Sequence, residues 1–164
     1  MGLDMYLSAR KYINKIDWSL LRDSNLPYSA ATTSEYRDVV SAAGLYDVEN
    51  PEDVYGANVS VNCAYWRKSN QIHKWFVDNV QDGEDDCDEY YVSREKLLEL
   101  LQLCKTAYAK RDPKELMPQS GFFFGNTDID QWYWEDIKHT IKQIERLTNL
   151  PDFDTLSFYY QSSW

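Results

Sequence analysis

Leu3-Asp4-Met5-Tyr6-Leu7-Ser8-Ala9, at the start of the chain, places Leu3, Met5, Leu7 and Ala9 on one side at a period of two. That period belongs to a strand with one buried face. Working outward, the chain closes on Thr155-Leu156-Ser157-Phe158-Tyr159-Tyr160-Gln161, a second segment of strand composition. Glu89-Tyr90-Tyr91-Val92 and the glycine-fenced Ser120-Gly121-Phe122-Phe123-Phe124-Gly125 supply two more, the latter looking buried on both faces.

Helical patterns fill the intervals. Asn62 to Val80 carries Tyr65, Ile72, Trp75, Phe76 and Val80 at helical spacing. Ser93 is placed to cap a helix through Leu97, Leu98, Leu101, Cys104 and Tyr108, which Asp112-Pro113 ends. Thr127 with Asp130 three residues on forms a variant capping box that opens a helix through Ile137, Ile141 and Ile144 to Leu150-Pro151. Strands interspersed with helices predict an α+β fold with about four short strands in one sheet and about three main helices packed on it. The two terminal strands are expected as neighbours. Residues 1–164 are read as one domain with an irregular excursion over about 19–58, within which Ser34 to Ala43 forms a short helix ended by Gly44.

Charge bounds the partners. Twenty-seven acidic against seventeen basic residues leave a formal net charge of -10. Phosphate neutralisation needs clustered Lys and Arg, so direct binding to nucleic acid or to an anionic membrane is not expected. Cys63, Cys87 and Cys104 include no CxxC pair, which fits a reducing compartment. The opening Met1-Gly2-Leu3-Asp4-Met5-Tyr6 shows no basic or long apolar leader, and a cytoplasmic location is expected.

The densest charge lies in Asp78-Asn79-Val80-Gln81-Asp82-Gly83-Glu84-Asp85-Asp86-Cys87-Asp88-Glu89, where seven of twelve side chains are carboxylates. Such crowding demands solvation, a cation or a cationic partner. An EF-hand is ruled out: counted from Asp82, Cys87 and Ser93 stand where the pattern needs Gly and Glu. No HExxH, CxxC or HxE spacing involves His73 or His139, and Gly121 and Gly125 are not followed by the Lys-Ser or Lys-Thr pair of a phosphate loop. No catalytic residue, metal or cofactor is therefore assigned. The residues read as partner-binding are Asp82, Glu84, Asp85, Asp86, Asp88 and Glu89, together with Trp132 and Trp134. Those two indoles flank Tyr133 on different sides of one helix, and exposed indoles suit a protein partner or a homodimer. The alternative reading is a small enzyme or a ligand- or metal-binding domain, with its site near Thr127, Asp128 and His139, where a strand end meets a helix start, or in the acidic loop.

Four segments together, Met1-Gly2-Leu3-Asp4-Met5-Tyr6-Leu7, Tyr65-Trp66-Arg67-Lys68 with Ile72-His73-Lys74-Trp75-Phe76, Gly121-Phe122-Phe123-Phe124-Gly125, and Phe158-Tyr159-Tyr160-Gln161-Ser162-Ser163-Trp164, resemble a family of small bacteriophage and prophage proteins without an established activity. The resemblance covers most of the chain except roughly Ser19 to Asn58. It implies action on a host component, and with the acidic run it gives the expected function: a small acidic protein that binds and modulates or inhibits a host protein, in DNA mimicry or an anti-defence role. A nucleic-acid-binding protein would be met by mimicry of the negative backbone.

Overall fold

A computed structural model describes residues 2–22, 27–45, 55–121 and 124–164. The protein has an α+β fold with one open antiparallel sheet of four strands, β1 (Asp4–Asn14), β2 (Gly56–Arg67), β3 (Glu89–Val92) and β4 (Ser157–Ser163), in the order β2-β1-β4-β3. The terminal strands β1 and β4 are neighbours, as expected. The main helices are α3 (Asn70–Val80), α4 (Arg94–Lys110) and α5 (Gln131–Thr148), preceded by the short α1 (Trp18–Arg22) and α2 (Ser34–Ala42). The chain divides into two compact units, one of Met1–Ala9 with Val61–Trp164 and one of Arg10–Ser60.

In the larger unit the alternation of β1 buries Leu3, Met5 and Leu7 completely. β4 follows the same rule with Phe158, Tyr160 and Ser162, and the β3–β4 register sets Val92 opposite Phe158 on that buried face. Against it pack Ile72 and Phe76 of α3, Leu97, Leu100 and Cys104 of α4, and Ile137 and Ile144 of α5. Phe76 lies flat on Tyr160, with ring centroids 3.9 Å apart and planes at 8°. Trp66 of β2 donates its indole N–H to Thr140 of α5 at 3.0 Å, which satisfies a buried polar group while tying helix to sheet. Burial pushes the Cys104 thiol up to about 12, as suits a small core residue rather than a nucleophile.

The opposite face of the sheet is a row of tyrosines. By the alternation of each strand, Tyr65 of β2, Tyr6 of β1, Tyr159 of β4 and Tyr91 of β3 share it. Tyr6 and Tyr65 meet at 5.4 Å, and Tyr91 and Tyr159 at 5.7 Å.

The smaller unit contains α1, a 3-10 turn (Tyr28–Ala31) and α2. Thr33 caps α2 by accepting from the Tyr36 N–H, and Gly44, at φ +72°, ends the helix where a left-handed residue is required. This unit covers the segment read as an irregular excursion, whose residues 23–26 and 46–54 lie outside the described residues.

Two elements differ from the sequence reading. Asn62 to Arg67 continues strand β2, and the helix begins only at Asn70. A left-handed Lys68, at φ +56°, makes the break. Ser120, Gly121, Phe124 and Gly125 are not in a strand, while Phe122 and Phe123 lie outside the described residues. The Thr127 and Asp130 pair also resolves to one cap: Asp130 accepts from the N–H groups of Trp132 and Tyr133 and starts α5 at Gln131. Among the described residues, no helix is long and apolar enough to cross a membrane.

Candidate functional site

Helix α3 organises both regions where charge collects. Its buried side carries Ile72, His73, Phe76 and Val77, so its two ends are held rigidly against the core.

At the C-terminal end, Asp82 (φ +53°) and Gly83 (φ +86°) turn the chain out of the helix, and the Gly83 N–H returns to the Val77 carbonyl at 2.9 Å. The acidic run that follows is bonded to the body. His73, wholly buried, has its Nε2 3.0 Å from Asp85 Oδ1 and its Nδ1 2.8 Å from the Tyr160 hydroxyl. A carboxylate only accepts, so Nε2–H donates to Asp85 and Nδ1 accepts from Tyr160. Burial pulls the His73 pKa below its ordinary value, against the opposing attraction of Asp85. Asp86 accepts from the Tyr90 hydroxyl and the Asp88 N–H, both at 2.9 Å, and that first bond raises the Tyr90 pKa to about 12. The loop backbone is fastened as well. Ser162 donates to the Asp86 carbonyl, Gln161 to the Cys87 carbonyl, and Gln81 to the Glu84 carbonyl, at 3.1, 2.9 and 3.0 Å. Asp78 pairs with Lys74 one turn back.

The predicted partner-binding residues thus divide. Asp85 and Asp86 are partly buried with internal partners, whereas Asp82, Glu84, Asp88 and Glu89 are exposed. Glu89 begins β3 on the same face as Tyr91, which is 55% exposed, so the acidic ridge runs into the tyrosine row. The indoles divide too. Trp134 is half-buried between Tyr108 and Tyr133 and carries the Arg111 guanidinium 4.9 Å from its ring, while Trp132 is 74% exposed.

At the N-terminal end of α3 lies a cleft of about 290 Å³, lined among others by Arg67, Lys68, Asn70, Asp128, Trp132 and Asp136. Three segments distant in sequence meet there: the β2–α3 turn, the loop before α5, and the first turns of α5. Asn70 pins the loop by donating to the Phe124 and Asn126 carbonyls at 3.2 and 2.7 Å, and Gly125, at φ +91°, supplies the bend between them. Its Oδ1, though buried, accepts no hydrogen bond, and neither does the hydroxyl of Ser69. Ser69 is the N-cap residue, and its carbonyl rather than its hydroxyl accepts from the Ile72 and His73 N–H groups, at 3.1 and 3.0 Å. It lies near the Asp136 carboxylate without reaching hydrogen-bond geometry, and Gln71 donates to Asp136 over a long 3.4 Å. Burial raises the Asp136 pKa above the usual carboxylate value. Arg67 and Lys68 make no ion pair among the described residues, while Lys74, Lys96, Lys105 and Lys138 each do.

The residues of the alternative site do not converge. Asp128 lines the cleft, but Thr127 does not. His139 instead donates to the Tyr65 carbonyl at 3.1 Å, and Arg146 to the Cys63 carbonyl, so α5 covers part of the open edge of β2. No group of three His, Cys, Asp or Glu side chains among the described residues is placed to hold a metal ion. Sequence reasoning missed the cleft because Arg67, Asn70 and Asp136 belong to no shared motif. The usable signal was the adjacent Arg67-Lys68 pair immediately before an apolar helix.

No protein-family profile, curated protein or solved structure matches the chain.

Proposed function

We propose that the chain is a non-enzymatic binding protein of phage type that engages a basic, nucleic-acid-binding host protein through its acidic ridge and tyrosine row. The observation that carries this reading is the division of labour within the acidic run. Asp85 and Asp86, with the carbonyls of Glu84, Asp86 and Cys87, fasten the loop; Asp82, Glu84, Asp88 and Glu89 remain exposed on it. A ridge of negative charge held in one geometry loses little freedom on binding, which favours affinity, and it steers a cationic partner by its field. Tyrosine beside the ridge supplies the apolar contact that charge alone lacks, as interface anchors commonly do.

The test is retention from bacterial lysate on two baits, the wild-type protein and the variant D82N/E84Q/D88N/E89Q. The wild type is expected to hold a basic protein that salt or duplex DNA displaces, and the variant to hold it about tenfold less or weaker still. Equal retention by both baits rejects the ridge as the contact surface.

A further inference from the structure

Beyond partner binding, we propose that the cleft at the N-terminus of α3 is a site for a nucleoside monophosphate. The cleft makes three demands, and this ligand class meets all of them.

The first is for an anion. Helix α3 has eleven residues, no acidic residue in its first turn and no side chain bonded to its first N–H groups. The Asn70, Ile72 and His73 N–H groups are bonded to the Lys68 and Ser69 carbonyls, so what the helix start offers a phosphate is its positive dipole end. Arg67 and Lys68 line the same cleft without an ion pair among the described residues.

The second is for hydrogen-bond donors. Asp128 and Asp136 put two carboxylates on the wall. Inorganic phosphate, whose dianion keeps a single O–H to donate, cannot answer both carboxylates, whereas ribose hydroxyls and base N–H groups can. The same carboxylates would repel each further phosphate, which limits the ligand to one.

The third is for a flat ring. Trp132, with its indole 74% exposed, stands on the cleft wall, and an indole of this kind is a stacking surface for a base. A free amino acid could satisfy the charges but would leave this ring uncovered. The cleft volume, about 290 Å³, sits at the small end of the range for ligand sites and suits a mononucleotide rather than a dinucleotide.

Isothermal titration of the intact protein with AMP, GMP, CMP and UMP, alongside adenosine and inorganic phosphate, tests the assignment. At least one monophosphate is expected to bind at a single site with a dissociation constant on the order of 10 µM, a reasonable value for a ligand of this size. Adenosine and phosphate should each bind about tenfold more weakly or worse, since each meets only part of the site. The double variant R67Q/K68Q should lose the preference for AMP over adenosine, and Trp132→Ala should lose the preference for AMP over phosphate. Trp132 is exposed enough that its removal leaves the fold intact, which a thermal melt confirms. Absence of saturable binding by all four monophosphates at millimolar concentration overturns the proposal. So does phosphate binding as tightly as AMP, or a Trp132→Ala variant that binds AMP unchanged.

Discussion

The two ends of α3 carry charge of the wrong sign for a helix, and they differ in how the protein answers it. Before the first turn, Arg67 and Lys68 stand near the positive end of the dipole; within and after the last, Asp78, Asp82 and Glu84 crowd the negative end. Each such placement costs roughly 0.3–1 kcal/mol where exposed. At the C-terminal end the fold supplies partners of its own, with Lys74 on Asp78, His73 on Asp85 and Tyr90 on Asp86. At the N-terminal end Asp128 and Asp136 line the cleft with Arg67 and Lys68 but form no ion pair with them among the described residues, Asp136 takes one long contact from Gln71, and Ser69 Oγ and Asn70 Oδ1 stay unbonded. One end is therefore largely bonded within the fold, although the buried Oε1 of Gln81 accepts no hydrogen bond, and it offers a finished surface. The other is left open, which is what a ligand site requires.

The strongest break in this comparison comes from the satisfied end. Asp85→Ala removes the acceptor from a wholly buried His73 Nε2–H and should destabilise the protein by about 1–3 kcal/mol, the usual cost of stranding a buried donor. Asp82→Asn, three residues earlier and exposed, keeps a side chain that tolerates the left-handed φ of +53° and should stay within about 0.5 kcal/mol of wild type. Urea unfolding of the two variants side by side measures the difference. If both prove neutral, the loop is not fastened by its bonds and the contrast between the ends disappears.

What was legible in the sequence follows the same line between local and distant causes. β1, β4 and α4 could be read because the pattern and the cap are local: Leu3, Met5 and Leu7 alternate, and Ser93 sits one residue before Arg94. β2 escapes the pattern because only Ala64 and Trp66 of its twelve residues are buried, while Tyr65 on the open face matches helical spacing to Ile72. The alternation Val59-Ser60-Val61-Asn62-Cys63 was the available strand signal. The acidic run announced itself, but its fastenings did not. Those of Gln161 and Ser162 come from more than seventy positions away, and no propensity or spacing rule reaches that far. The cleft is the extreme case, since its lining comes from three separate segments that only the packing of α3 against α5 joins.

A smaller effect sharpens the comparison through pH. His73 is neutral in the fold with its pKa lowered by burial, so the unfolded chain binds a proton more readily than the native one. Stability from this group is then present in full above the unfolded value of about 6.5 and is lost as pH falls below it. Melting temperature should drop between about pH 6.5 and 5, before most carboxylates titrate. In a His73→Gln variant that step should be absent, although its stability at neutral pH is lower. A step that survives the substitution would have to be assigned to another group, and the buried His73–Asp85 contact would not be what fastens the loop against acid.

The smallest effect is the most discriminating, because it asks the open end for opposite signs in two measurements. Lys68 holds φ +56°, a left-handed conformation that costs a side chain about 1–2 kcal/mol and glycine almost nothing. Lys68→Gly removes that strain but adds freedom to the unfolded chain, so a net gain in stability of about 0.5–1 kcal/mol is expected in urea unfolding. AMP affinity should fall several-fold at the same time, since one of two cations at the cleft is gone. Strain that is kept where it harms stability and serves binding is the usual mark of a working site. If stability falls along with affinity, Lys68 is holding the turn by contacts that outweigh its strain, and the N-terminal end of α3 is as internally satisfied as the C-terminal one.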